Sequence, residues 1–496
     1  MKPETIRDVA VVDVGSNSVR LVTYRMEGRA IWTVYNEKVL AGLGRDLAET
    51  GKLSEEGVEQ AVSALRRFKA VIDGARPDEV LVAATAAVRE AVDGQTFVER
   101  IKKEAGLDIR VLSGREEAHY SAYGVVAGSP DAAGVVGDLG GSSLELVSLA
   151  DGTPGKGVTL PLGPFAMGAP GAFDIDDVRT RTFELLAGTE QFASPEFHAV
   201  GGAWRTIAVI HMAMTDYPLK IVHQYELPAR EVLDVVRFVS RQSKGSLERI
   251  PGVSKKRADV LPWGAVVLES LVEKLGLKRI VFSAYGLREG LLYRALPPRE
   301  QHKDPLVEGC AALGRRFGVS PALGEALSEF LAPAFAALPP VFEAGGDARL
   351  LQAACRLADI GARLHPEHRA ELAFIQVLHA PIAGQGHQER AFLATAVHAR
   401  YGGSASNIPE AETISRLLDE DCASRARVLG LAMRLGCDLA GRAPAPLRDS
   451  TLEFKKSKVV VTAAKARADI LMGEQTAKRA NALAQALELE LEVKVG

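Results

Sequence analysis

Two short stretches of this 496-residue chain gather side chains suited to phosphate chemistry: "VVDVGSNSVRLV" (11–22) and "VVGDLGGSSLEL" (135–146). Each is a β-branched run that ends on an aspartate, breaks at glycine and hydroxyl residues, and turns apolar again. Gly15 and the Gly140-Gly141 pair let the backbone turn with its N–H groups exposed, and such a concavity binds anions. Ser16, Asn17, Ser18, Ser142 and Ser143 add side-chain donors. The carboxylates of Asp13 and Asp138 would repel a phosphate, so a hard cation such as Mg²⁺ between them is the natural resolution. A hairpin with a polar tip uses the same residues. Two such turns, each opening one half of an α/β region, argue for a two-sided anion clamp. Neither is a Walker A loop or a G-x-G-x-x-G fingerprint.

Other residues extend this chemistry. Glu116 and Glu117 begin a helix after a Gly turn, and adjacent helical positions point about 100° apart, so one of them can face a cleft as general base to a water. The alternative is that both complement the helix dipole. Arg89, just past a strand, reads as a phosphate fork or as a solvated surface residue. Gly201-Gly202 and the run "SAYGLREG" offer backbone donors at helix starts. Lys244, Lys255, Lys256 and Arg257 either steer a long polyanion or form a charged loop. No Ser–His nucleophile pair is present.

These residues need a scaffold. Segments 9–25 and 30–41 read as strands, 53–74 as a helix with Ser54 at its N-cap, and strands then alternate with helices, the signature of an α/β domain. The strand–turn–strand unit recurs at 132–149, which predicts a duplicated two-lobed fold with a cleft between lobes. "PPREQHKDP" (297–305) reads as a linker. Residues 306–440 read as helices, and the last stretch as strand–strand–helix–strand. The predicted domains are 1–125 and 126–298 for the two lobes, 305–440 for a helical domain, and 441–496 for a small α/β domain. A net charge of −3 argues against bulk nucleic-acid binding. Four widely spaced cysteines fit reduced thiols. The polar start "MKPETIRD" and the absence of an 18-residue apolar run predict a cytoplasmic protein without a membrane span.

The motifs D-V-G-S-N-S (13–18), A-T-A-A-V-R (84–89), S-G-R-E-E-A (113–118), D-L-G-G-S-S-L-E (138–145), P-G-V-S-x-x-R (251–257) and S-x-x-G-L-R-E-G (283–290) occur in order. Together they resemble the exopolyphosphatase/guanosine pentaphosphate phosphohydrolase family of the actin, sugar-kinase and Hsp70 ATPase superfamily, over about residues 1–300. The resemblance implies an actin-like, ribonuclease H-like duplicated fold followed by an HD-type helical domain. It implies release of terminal phosphate from inorganic polyphosphate, or from guanosine pentaphosphate, with Mg²⁺ or Mn²⁺ and room for a monovalent cation. Glu117 matches the carboxylate that activates water. Asp138 and Glu145 match the acidic positions associated with Mg²⁺. The turns at 15–18 and 140–143 match the phosphate loops, and Arg89 a motif arginine near the cleft.

Three departures stand out. Ser142 replaces a third glycine, which removes backbone freedom and adds a hydroxyl donor. Trp204, in "VGGAWRTIA", is bulky where the family often has a small residue, which counts against nucleotide access. Ala358-Asp359 stands where an HD domain carries His-Asp, so a second metal phosphodiesterase site is not expected. His365, His368, His379, His387 and His398 are read as loop and helix-surface residues. The helical domain is expected to lengthen the polyanion path or build a homodimer. A silent sensor of guanosine tetra- or pentaphosphate, and an ATP-using phosphotransferase, are the competing classes. Glu117 separates hydrolysis from both.

Overall fold

The computed structural model describes residues 6–343 and 345–496, without the side chains of Lys256 and Ile470. The first five residues of the polar start lie outside that range. The described chain divides into two compact units, 1–303 and 304–496.

In the first unit, β1 (Ile6–Val14), β2 (Val19–Glu27) and β3 (Ala30–Val39) form an antiparallel meander. Helix α1 (Glu55–Ala75) then carries the chain to β4 (Glu79–Ala84), which lies parallel to β1, and α2 (Ala86–Glu90) and β5 (Arg110–Val111) follow. A parallel pair needs such a crossover, and α1 buries Leu65, Phe68 and Ile72 in making it. The strand order is β3-β2-β1-β4-β5.

Helix α3 (Gly114–Gly128) leads into the second sheet and runs across the 125/126 boundary expected between lobes. Its strands are β6 (Gly134–Leu139), β7 (Leu144–Ala150), β8 (Thr153–Leu160), β9 (Glu196–Gly201), β10 (Tyr225–Pro228) and β11 (Arg279–Phe282), in the order β10-β11-β9-β6-β7-β8. Helices α4 (Gly202–Met214), α5 (Leu261–Leu275) and α6 (Leu287–Arg294) belong to this half. The meander β6-β7-β8 repeats β1-β2-β3, and β9 lies parallel to β6 as β4 does to β1. The duplication is thus one of hydrogen-bond pattern.

Helices α3 and α6 pack together where side chains have been removed. A Cβ at Gly290 would lie 1.7 Å from the Tyr120 carbonyl oxygen, and one at Gly124 would lie 2.1 Å from that of Gly286. One apolar layer joins Val9, Val11 and Val22 of the first sheet to Val136, Val147 and Val200 of the second and to Leu292 of α6. The carboxyl ends of β1, β4, β6 and β9 open on one side of it, where open α/β sheets place ligands.

The second unit contains α7 (Pro305–Arg316), α8 (Pro321–Phe335), α9 (Gly346–Leu357), α10 (Arg369–Leu378), α11 (His387–Arg400) and α12 (Glu420–Ala440). A three-stranded sheet follows, β12 (Ser450–Lys455), β13 (Lys458–Ala463) and β14 (Glu490–Val495), with α13 (Glu474–Ala486) crossing to the parallel β14. All four cysteines are buried and free. Among the described residues no helix is long and apolar enough to cross a membrane.

Candidate active site

Two hairpins with the same register build the floor of the cleft. Val14 pairs with Val19 and Leu139 with Leu144, leaving four-residue tips. Gly15 N–H donates to the Ser18 carbonyl at 3.0 Å, and Gly140 N–H to that of Ser143 at 2.9 Å. The tips touch, since a Cβ on Gly141 would lie 3.1 Å from Cβ of Ser16. Gly15, Ser16, Asn17, Ser18, Gly140, Gly141 and Ser143 all line a cavity of about 190 Å³. Ser142 does not. Its hydroxyl is buried without a hydrogen-bond partner, 3.0 Å from where a Cβ of Gly44 would sit. The expected extra donor is therefore absent from the cavity wall.

The two glutamates at the start of α3 divide their work. Glu116 closes a capping box: Ser113 donates to it through its N–H at 2.9 Å and its hydroxyl at 2.8 Å. Glu117 turns into the cavity and is buried. Burial pushes its carboxyl well above the ordinary glutamate range; the Arg89 guanidinium pulls against this, and Asp138 and Asp13 add to it. Arg89 donates to Glu117 at 2.7 Å and to the Leu112 carbonyl at 3.0 Å. It is committed behind Glu117 and is absent from the cavity wall. As a phosphate fork the residue is corrected to a brace for Glu117.

The expected metal set lies on the same walls but is not uniform. Asp138 and Glu145 face one another across β6 and β7. Burial raises both carboxyls, Glu145 further because Glu117 and Asp138 repel its charge. Glu145 Oε1 is buried with no hydrogen-bond partner. Asp13 instead accepts from the Arg288 guanidinium at 3.1 Å, so a cation of the protein already neutralises it. An orphaned oxygen among three crowded carboxylates (Glu117, Asp138, Glu145) fits a hard divalent cation with oxygen ligands.

The same cavity holds a basic group that sequence reading left largely unseen. Arg20, Lys38, Arg205, Arg257 and Arg288 line the cavity. Burial and mutual repulsion push Arg20 and Arg205 down to about 10 and Lys38 down to about 8. Arg288 is held up despite burial by Glu289, Tyr24 and Asp13. Gly201, at φ +107°, and Gly202 bring the start of α4 to the same wall. A Cβ on Gly202 would lie 2.3 Å from the Arg257 guanidinium.

Of the expected polyanion path, Arg257 alone reaches the cavity among the described side chains. Lys244 pairs with Asp259 at 2.5 Å, Lys255 is exposed, and the Lys256 side chain lies outside the described residues. Trp204 is corrected as well. Its ring is fully buried, its indole N–H donates to the Gly264 carbonyl at 2.9 Å, and it packs edge-on against Phe197. It fills the lobe core and leaves the cavity clear.

In the second unit Asp359 is ion-paired with Arg442 at 3.3 Å and Arg400 at 3.6 Å. The sequence His365-Pro366-Glu367-His368 closes a turn through His368 N–H and the His365 carbonyl at 3.1 Å. It brings ligand atoms of His365, Glu367 and His368 within 4.8 Å of one another, all solvent-exposed, whereas His387 and His398 are buried within their helix and are corrected from surface residues.

Comparison with known proteins now decides the family. Residues 22–299 match the model of the Ppx/GppA phosphatase family. The chain belongs to that family. Residues 311–492 match the exopolyphosphatase C-terminal domain model. Exopolyphosphatase 1 of Mycobacterium tuberculosis is 27% identical over 303 residues, covering 58% of this chain and 88% of the relative. The crystal structure of an exopolyphosphatase from Cytophaga hutchinsonii shares the fold, with TM-score 0.54 and 23% identity over 58% of this chain and 98% of that one. The Aquifex aeolicus member of the Ppx/GppA family aligns with TM-score 0.50 and 25% identity, over 60% of this chain and its whole length. This family member therefore has the two-lobed α/β fold of a phosphatase.

Proposed function

We propose that this cleft hydrolyses the terminal phosphoanhydride bond of inorganic polyphosphate. The observation that carries the reading is the charge gathered in one cavity: Glu117 and Asp138 repel Glu145 there, and Arg20, Arg205 and Arg257 repel Lys38. A chain of phosphates offers repeated charge to the basic residues while its end meets the acidic ones. The family and the mycobacterial relative's name agree with that substrate.

Asp138 and Glu145 would hold a divalent cation such as Mg²⁺, which when bound neutralises charge on the phosphoryl oxygens. The protein's own groups do the rest. The N–H groups of both hairpin tips that are not already spent within the tips, and that of Gly202, seat phosphate oxygens. Arg20, Lys38, Arg205 and Arg257 hold the chain that trails from the reacting end. Glu117 accepts the proton of the attacking water, and Arg89 fixes its carboxylate in place. In-line phosphoryl transfer asks mainly for positioning and charge neutralisation, which this division supplies.

Guanosine pentaphosphate is the second reading, favoured by one observation: Trp204 does not occupy the cavity, so the reason to exclude a nucleotide is gone. Phosphate release from long-chain polyphosphate and from guanosine pentaphosphate, measured side by side with guanosine tetraphosphate as competitor, tests both. Faster release from polyphosphate is expected. Release from the nucleotide alone would reverse the assignment.

A further inference from the structure

From the geometry of α3 and β6 we infer that Ser121 is a positioning residue for Asp138, fixing which carboxylate oxygen faces the cation site. The inference rests on the proposed role of Asp138 as a cation ligand. Ser121 lies four residues after Glu117, so the two side chains stack on one face of α3. Glu117 reaches the cavity. Ser121, only 1% exposed, donates its hydroxyl to Asp138 Oδ2 at 2.5 Å.

A serine within a helix ordinarily turns its hydroxyl back to the carbonyl four residues earlier. Here the single hydroxyl proton goes across to the neighbouring strand. Gly286 leaves room beside the same Oδ2, since a Cβ there would lie 3.8 Å from it. With Oδ2 held by the Ser121 hydroxyl, Oδ1 is the oxygen left for a ligand. One helix face thus carries both the proposed base and the brace of the proposed ligand. Any shift of α3 would move the two together.

Mn²⁺ binding to the metal-free protein, followed by electron paramagnetic resonance, tests this without turnover. Partners that orient metal ligands are worth about 10–100-fold in affinity. Ser121→Ala should raise the Mn²⁺ Kd by that factor and raise the metal concentration for half-maximal hydrolysis, with KM for polyphosphate unchanged. Ser121→Thr, which keeps the hydroxyl, should restore binding to within a few-fold of wild type. Unchanged Mn²⁺ affinity in Ser121→Ala would overturn the inference. So would a Ser121→Thr protein that melts normally yet binds no better than Ser121→Ala, or a wild type that binds no Mn²⁺. A wild type that binds Mn²⁺ but releases no phosphate from polyphosphate sinks the substrate reading alone and leaves the Ser121 test in force.

Discussion

The two hairpins that floor the cleft share a register and differ in their cross-strand partners. Asp13 faces Arg20, and beyond Arg20 on β3 stands Lys38. Asp138 faces Glu145, and beyond Glu145 on β8 stands Thr159. One row therefore reads acid, base, base, and the other acid, acid, neutral. Backbone geometry is common to both tips, so it cannot assign their chemistry. The residue across the ladder does. Arg20 and Arg288 surround Asp13 with positive charge suited to an anion, whereas Glu145 beside Asp138 leaves a deficit that a cation would fill.

Breaking the acidic row should have the largest effect. Asp138→Asn is expected to lower kcat by more than about 100-fold, above the range for an outer partner of a metal ligand, and to abolish Mn²⁺ binding measured on the metal-free protein. Breaking the basic row should act on binding instead. Arg20→Ala removes a charge-assisted bond worth about 1.5–3 kcal/mol, so KM for polyphosphate should rise about 10–100-fold with a smaller change in kcat. Steady-state kinetics at several chain lengths separate the two. If Arg20→Ala lowered kcat and left KM alone, the division of labour between rows would be wrong.

The smallest effect has the opposite sign. Burial raises the carboxyls of Glu117 and Glu145 above their unfolded values. Between the ordinary glutamate pKa of about 4.3 and those raised values, the folded protein holds more protons than the unfolded chain. The contribution of these two groups to the stability of the metal-free protein should therefore be fully present below about pH 4.3 and be lost as pH rises through the folded values. Glu145→Gln should flatten that slope and raise the metal-free Tm above pH 7, by about 2–4 °C for each kcal/mol relieved. Differential scanning calorimetry across pH checks this, and a Tm lowered by the substitution would show that the carboxylate is better accommodated than its surroundings indicate.

What the sequence made legible follows the same line. The glycine turns, the duplicated strand pattern and Glu117 were readable because turn chemistry and helix phase are local. The basic wall was not, because an arginine or lysine in a half-buried strand looks like a surface residue until its neighbours are known. Arg20 had a usable signal: a hairpin closing through residues 14 and 19 sets residue 20 opposite Asp13. Arg205 comes to the cavity by tertiary packing with no such local clue, whereas Arg288 lay in the 283–290 motif, which was read only for its backbone donors. Ser142, Arg89 and Trp204 failed for a related reason. Their types suggested a donor, a phosphate fork and an obstruction, but where the side chains go depends on neighbours remote in sequence, as Glu117 is for Arg89 and Gly264 for Trp204.

The proposed division of the cleft is tested most directly with Glu117→Gln, by measuring polyphosphate binding and phosphate release on the same preparation. General-base catalysis is worth about 10²–10⁴-fold. Release should therefore fall by that factor while the polyphosphate Kd stays within a few-fold of wild type. A Glu117→Gln protein that hydrolyses polyphosphate at the wild-type rate would contradict the account.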